Sequence, residues 1–245
     1  MEVHAHSHTA RKKWTHYLWE FLMLFLAVFC GFLAENQREH LVEHNHEKQF
    51  MISLVQDLET DKAELQKAIH RADSTGRYAD SALYYLLSYK GSSEIDAHFT
   101  DLFTIAGQRL TLINTDRTSS QLKNSGAMRL IRNKKVVTDI IKYWRAIDES
   151  NITLERYLIY RNAGRELSFK LFIGPQVYQR GYHLPADSVH SLKVFDTDVK
   201  KWNELINLVT ITGGIARNGH LTNLKKQYEL AVSLIALINK EYHLK

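Results

Sequence analysis

The sequence predicts an all-α protein, in which one N-terminal transmembrane helix continues into a stalk and then an extramembrane helical bundle. Three observations predict it. Residues 17–34 read YLWEFLMLFLAVFCGFLA, with one charge, Glu20, near the leading edge. The 245 residues include only two prolines and 11 glycines, too few for a turn-rich all-β chain. From Phe50 onward, apolar residues recur at three- and four-residue steps, the period of a helix with one buried face.

The elements follow in order. Residues 1–13 form a short polar tail. With Trp14 as an interfacial anchor, residues 14–34 make a transmembrane helix of roughly 31 Å, about the thickness of a bilayer core. No small-x-small cleavage site follows, so the run reads as an uncleaved anchor. Residues 35–49 (ENQREHLVEHNHEKQ) lack Gly and Pro and continue it as a solvated helical stalk. Residues 50–245 are the extramembrane helical domain. Its first stripe is Met51, Leu54, Val55, Leu58, Leu65, Ile69 and Ala72, with Asp57, Glu59, Asp61, Lys62 and Glu64 mostly on other faces. Ser74-Thr75-Gly76 marks a break or kink. Residues 81–89 form a second apolar piece, stopped by Gly91-Ser92-Ser93. Residues 94–106 form a short helix ending at Gly107. Residues 116–131 (DRTSSQLKNSGAMRLI) are helical, two short helices burying Leu122, Met128, Leu130 and Ile131 and meeting at Ser125-Gly126, where glycine supplies a positive φ or a close approach. A long helix from Asn133, striped with Val136, Val137, Ile140, Ile141, Trp144 and Ile147, runs to about Phe172 and is ended by Gly174-Pro175. Residues 175–195 are irregular, with a helix start at Pro185-Ala186-Asp187-Ser188. Helices over 196–211 and 221–242 complete the chain, separated by Gly213-Gly214. No run of strands is expected.

Net charge is +5, of which about +4 is diluted over residues 35–245, too sparse for a nucleic-acid partner. Cys30 is the only cysteine, so the chain forms no internal disulfide. Phe29 before it argues against lipoprotein acylation there. Arg11, Lys12 and Lys13 precede the membrane run, and a net acidic set follows it. The positive-inside rule therefore places the N-terminus in the cytoplasm and the large domain in the periplasm, with the anchor in the inner membrane.

Three strings carry a family resemblance. They are Thr118-Ser119-Ser120-Gln121-Leu122-Lys123-Asn124-Ser125-Gly126, then Arg129-Leu130-Ile131-Arg132-Asn133-Lys134, then Ile140-Ile141-Lys142-Tyr143-Trp144. Together with the early Glu20 and the acidic helix LVQDLETDKAEL after the stalk, they resemble a family of uncharacterised single-pass membrane proteins from Bacteroidota. The likeness covers about residues 17–150, with a membrane run richer in Phe here. It implies an N-terminal membrane helix bearing a helical extramembrane domain, and no activity.

Candidate sites are few. Glu20, Leu24, Ala27, Gly31 and Ala34 step by 4, 3, 4 and 3, and Arg38 extends the series, so they share one helix face. Ala27-xxx-Gly31 is a small-xxx-small pair that permits close approach of a second membrane helix. Glu20, close to Lys13 and His16, also reads as snorkelling to the headgroups. His40-Leu41-Val42-Glu43-His44 matches the H-x-x-E-H zinc-protease pattern, but it sits on a polar stalk without a third ligand and reads as a solvated helix. His4, His6 and His8 form a loose chelating pattern or a plain polar leader. The basic group Arg129, Arg132, Lys134 and Lys135 reads as a solvated helix corner rather than a ligand pocket. Tyr84, Tyr85, Tyr89, Tyr143, Tyr157 and Tyr160 have the spacing of core residues. No phosphate loop, nucleophile elbow or CxxC pair is present. The reading is therefore of no catalytic residue, no cofactor and no metal. The expected partners are the lipid bilayer and either a second copy or another membrane protein. The expected function is a non-enzymatic membrane-anchored scaffold or accessory subunit. The alternative is an extracytoplasmic ligand-binding sensor-like bundle. Its 13-residue tail leaves no room for a cytoplasmic signalling domain, so it would have to signal through a partner.

Overall fold

Long apolar stripes without proline build long helices, and the computed structural model is all-α apart from one small ribbon. It describes residues 14–96, 98–173 and 191–244. The helices are α1 (Trp14–Ser88), α2 (His98–Ala106), α3 (Arg117–Asn124), α4 (Lys134–Leu171), α5 (Val199–Gly214) and α6 (Leu221–Glu241). A 3-10 turn, Ala127–Leu130, follows α3, and a π turn, Ile215–His220, joins α5 to α6. Strands β1 (Glu94–Asp96) and β2 (Ser191–Lys193) pair antiparallel, with Ile95 opposite Leu192. A further bridge joins Phe172 to Val194. This ribbon corrects the expectation of no strands and of a helix beginning at residue 94. The helix start expected at Pro185 and the stop at Gly174-Pro175 lie outside the described residues.

The chain divides into two units, Met1–Gln49 and Phe50–Lys245. In the first, residues 14–42 are exposed throughout. One window of this helix has a mean hydropathy of 2.0 over 18 residues, and none of it is buried. It is long and apolar enough to span a membrane.

In the second unit, three clusters of buried side chains give the topology. At one end Met51, Leu54 and Leu58 of α1 meet Leu122 of α3, Val136 and Ile140 of α4, and Leu234 and Ile238 of α6. In the middle Leu65 and Ala72 meet Leu110, Tyr157, Ala216 and Leu224. At the other end Ala82 and Leu86 meet Phe99 and Phe103 of α2, Leu167 and Leu171 of α4, and Trp202 and Leu205 of α5. Thus α1 and α4 run in the same direction, and α5 with α6 returns against them. The fourth arm is not one helix. It descends as α2, an irregular segment over residues 107–116, and α3. Extended chain covers about 3.3 Å per residue against 1.5 Å in a helix, so ten residues span what a helix would need more than twenty to cover.

Two expected breaks are absent. α1 passes through Ser74-Thr75-Gly76 without interruption, and the chain stays helical through Gly213 and Gly214. These glycines serve proximity instead. A Cβ on Gly213 would lie 2.6 Å from the Ala79 Cβ, and one on Gly76 would lie 2.9 Å from the Arg217 Cβ. α1 therefore lies close against α5 at Gly213 and against the π turn at Gly76. Gly126 does behave as its sequence context predicts, with φ of 67° at the start of the 3-10 turn. Leu122, Ala127 and Ile131 are buried around it. α4 begins at a cap supplied by Asn133, whose Oδ1 accepts from the amides of Lys135 and Val136, satisfying orphan donors of the first turn.

Candidate functional site

In the first unit, helical geometry puts Glu20, Leu24, Ala27, Gly31 and Ala34 on one exposed face of α1. At Gly31 the space where a Cβ would stand is open, with no atom within 4 Å. His16 Nε2 lies 3.1 Å from Glu20 Oε1 at the leading end. Beyond the apolar run, Arg38 donates to both carboxylate oxygens of Glu35, at 2.9 and 2.5 Å. Phe21, Phe25 and Phe29 stack along an adjacent face, with centroids 6.3 and 5.9 Å apart. In the stalk, His40 lies 4.0 Å from Glu43 and His44 lies 3.5 Å from Glu47. Each imidazole thus stands beside a carboxylate on its own helix. Among the described residues no three His, Cys, Asp or Glu side chains converge as a metal site requires. His4, His6 and His8 lie outside the described residues.

The second unit contains a polar system that the sequence reading placed on solvent faces. Asp57 and Asp61, on α1, are 3 % and 2 % exposed. Asp57 accepts from Arg117 Nη2 at 2.7 Å and from the Thr118 amide at 2.9 Å. Asp61 accepts from the Thr115 amide and from the Tyr143 hydroxyl, both at 2.6 Å. The irregular segment has no ladder partner for its backbone, and buried peptide groups must find partners. Side chains supply them. Tyr157 donates to the Gln108 carbonyl at 2.6 Å, and Arg161 Nε donates to the Gly107 carbonyl at 2.7 Å. The segment's own side chains are held too. Gln108 donates to Thr75 Oγ1 at 2.8 Å, and Gln227, which accepts from Ser150, donates to Asn114 Oδ1 at 2.6 Å. The segment is thereby strapped to α1, α4 and α6 along its length.

Burial pushes the Asp61 carboxyl above its ordinary value, against the bonds from Tyr143 and Thr115 that pull it down. Tyr143 is pushed well up by burial and by the Asp61 charge. The Tyr143 hydroxyl is thus held neutral and serves as a donor to the buried Asp61 carboxyl. Thr118 Oγ1 is buried without a partner among the described residues. Its groups bond to one another across α1, α3 and α4, and so fasten the fold.

A second polar point sits in the π turn. His220 is 1 % exposed, its Nδ1 3.3 Å from Thr153 Oγ1. Burial lowers its pKa to about 4, partly offset by a bond with the Ser150 backbone. π turns often mark functional positions. Here the imidazole is neutral near pH 7 and joins α4 to the π turn. The basic group of the 3-10 corner stays at the surface, as expected: Arg129, Arg132, Lys134 and Lys135 are exposed, and Lys135 and Lys142 both pair with Asp139, at 2.7 and 2.9 Å. Of the tyrosines, Tyr143 and Tyr157 are buried and Tyr89 stacks on Trp202 at 3.9 Å. Tyr84 departs from the core expectation at 70 % exposure.

The sequence did hold a signal for the strap. Leu54, Leu58, Asp61 and Leu65 step by 4, 3 and 4, so Asp61 occupies a core position of the stripe. A carboxylate there requires buried donors, and the Tyr143 hydroxyl is one. Compared with protein-family models, curated proteins and solved structures, the chain matches none.

Proposed function

We propose that the chain is a single-pass, membrane-anchored helical scaffold or accessory subunit of the cell envelope. It assembles with a second copy or with another membrane protein through the face formed by Glu20, Leu24, Ala27, Gly31 and Ala34. The observation that carries the reading is the apolar run itself, none of which is buried among the described residues. Water is a costly environment for that much apolar surface, at about 25 cal/mol per Å². A bilayer removes the cost, and a small-residue face within it favours helix contact. The flanking charges favour a cytoplasmic N-terminus and a periplasmic domain. The three strings quoted above support membership of the Bacteroidota membrane family, whose architecture is the same. The buried polar network supports a non-enzymatic role, since its groups serve the fold.

The test is cysteine cross-linking in native membranes, followed by mass measurement of the gently extracted complex. With Cys30 replaced by Ser, a cysteine at position 27 or 31 is expected to cross-link, and one at position 29 is not. Ala27→Ile and Gly31→Ile should abolish the contact and the higher-mass species. A monomer of unchanged mass in all variants would sink the assembly reading.

A further inference from the structure

The second unit has a cleft that the scaffold reading does not use. It opens where α1, α2, α4 and α5 meet and encloses about 460 Å³, including its open mouth. Its existence follows from side-chain size. Ala79, Ala106 and Gly164 face one another across the junction, and Phe103, Leu208 and Val209 complete apolar walls. A Cβ on Gly164 would come no closer than 3.7 Å, to the Leu208 Cβ, so glycine there is not required by packing. The space is kept open where alanine would fit.

Two guanidinium groups, Arg161 and Arg165, line the same cleft, and none of the described residues lining it is acidic. Arg161 is fixed rather than wandering. Its Nε donates to the Gly107 carbonyl at 2.7 Å and its Nη1 to Asn162 Oδ1 at 2.9 Å. These engage two of the five N–H donors that a guanidinium carries. Arg165 lies over the Phe169 ring, 5.9 Å from its centroid. A fixed, half-buried guanidinium beside apolar walls is a selective arrangement. The walls reject a hydrated ion, and the guanidinium N–H groups not already engaged can donate to a carboxylate.

We propose that this cleft binds a small amphipathic monocarboxylate, its apolar body against Phe103, Leu208 and Val209 and its carboxylate on Arg161, with Arg165 adding charge at the mouth. The cleft is open at its mouth, so a short apolar body can lie along its walls with its far end in solvent. The binding is independent of the membrane face and of any assembly. Ligand in the cleft touches four helices at once, so it stabilises their packing by linkage.

The experiment uses the full chain in lipid nanodiscs and follows 4-fluorobenzoate by fluorine NMR, with empty nanodiscs as the blank. Saturable binding beyond the blank is expected, displaced by benzoate and at least tenfold less well by neutral benzamide. Gly164→Leu, which fills the cleft, should weaken binding at least tenfold. Arg161→Gln should bring benzoate down to the level of benzamide. If either variant melts early, Arg165→Gln, at an exposed position, should still weaken benzoate severalfold and leave benzamide unchanged. Three results would each overturn the proposal: no saturable binding to the wild-type chain, equal binding of benzoate and benzamide, or undiminished binding in a folded Gly164→Leu variant.

Discussion

The close approach of α1 and α5 can be tested by moving one methyl group across it. Gly213 has no room for a Cβ, because the Ala79 Cβ would lie 2.6 Å away. Gly213→Ala therefore overpacks the interface, a change that typically costs about 1–3 kcal/mol. The same substitution gains about 1 kcal/mol of helix propensity. The net expectation is a loss of up to about 2 kcal/mol. Ala79→Gly alone gives up about 1 kcal/mol of propensity and a buried methyl worth about 0.8 kcal/mol. In the double variant the methyl has only changed helices. The clash is gone, the propensities offset, and stability should return to within about 1 kcal/mol of wild type. The two changes should thus be non-additive by at least about 1 kcal/mol, as expected for residues in contact. The assay is urea unfolding of the full chain in detergent micelles, followed by far-ultraviolet circular dichroism, for the four members of the cycle. A Gly213→Ala chain more stable than wild type by the full propensity gain, or an additive double variant, would refute the packing argument. It would then be the helix-breaking reading of these glycines that needed reviving.

Three further outcomes are expected. Tyr143→Phe removes a hydroxyl that lies 2.6 Å from buried Asp61 and should cost about 1.5–3 kcal/mol; Tyr143→Phe in an Asp61→Asn background should cost less, and equal costs in the same unfolding assay would deny the bond its role. His220 has a folded pKa of about 4 against an ordinary value near 6.5, so its contribution is intact above about pH 6.5 and is lost as pH falls towards 4, by about 3 kcal/mol in full. The raised Asp61 carboxyl acts in the opposite sense, gaining stability as it protonates, so the melting temperature of His220→Gln between pH 6.5 and 4 should fall less steeply than that of wild type, and identical slopes would exclude the imidazole as the source. Gly126→Ala forces a side chain into φ of 67° and should cost about 1–2 kcal/mol, measurable as a lowered urea midpoint; an unchanged midpoint would show that the corner relaxes.

Helix period and the scarcity of proline carried most of the fold. The stripe from Met51 to Ala72, the Leu122–Ile131 corner and the length of α4 all follow from apolar spacing, because burial on one face is what a helix needs. The glycines misled for a physical reason. Glycine lowers helix propensity, but it also removes the Cβ that limits approach, and Gly76 and Gly213 are used for the second property. The strap was hidden because residues 107–116 are neither periodic nor turn-like. Their shape is imposed by Asp61, Thr75, Tyr157 and Gln227, which come from three different helices. The cleft could not be read at all, since Ala79, Phe103, Arg161 and Leu208 are brought together only by tertiary packing. The apolar run, by contrast, was evident from local composition.

The π turn also leaves a mark on how this chain can vary through descent. Each turn of π geometry closes its hydrogen bonds over five residues instead of four, so Ile215–His220 holds more chain than an α-helical stretch advancing by the same height. Buried Ala216, His220 and Leu221 record the altered phase. Losing a single residue there would relax the stretch to ordinary helix and carry His220 out of the interior. The phase of α6 behind it would be kept. Relatives that dispense with the buried imidazole are therefore expected to be one residue shorter between Gly214 and Leu221, a gap that would otherwise pass for alignment noise.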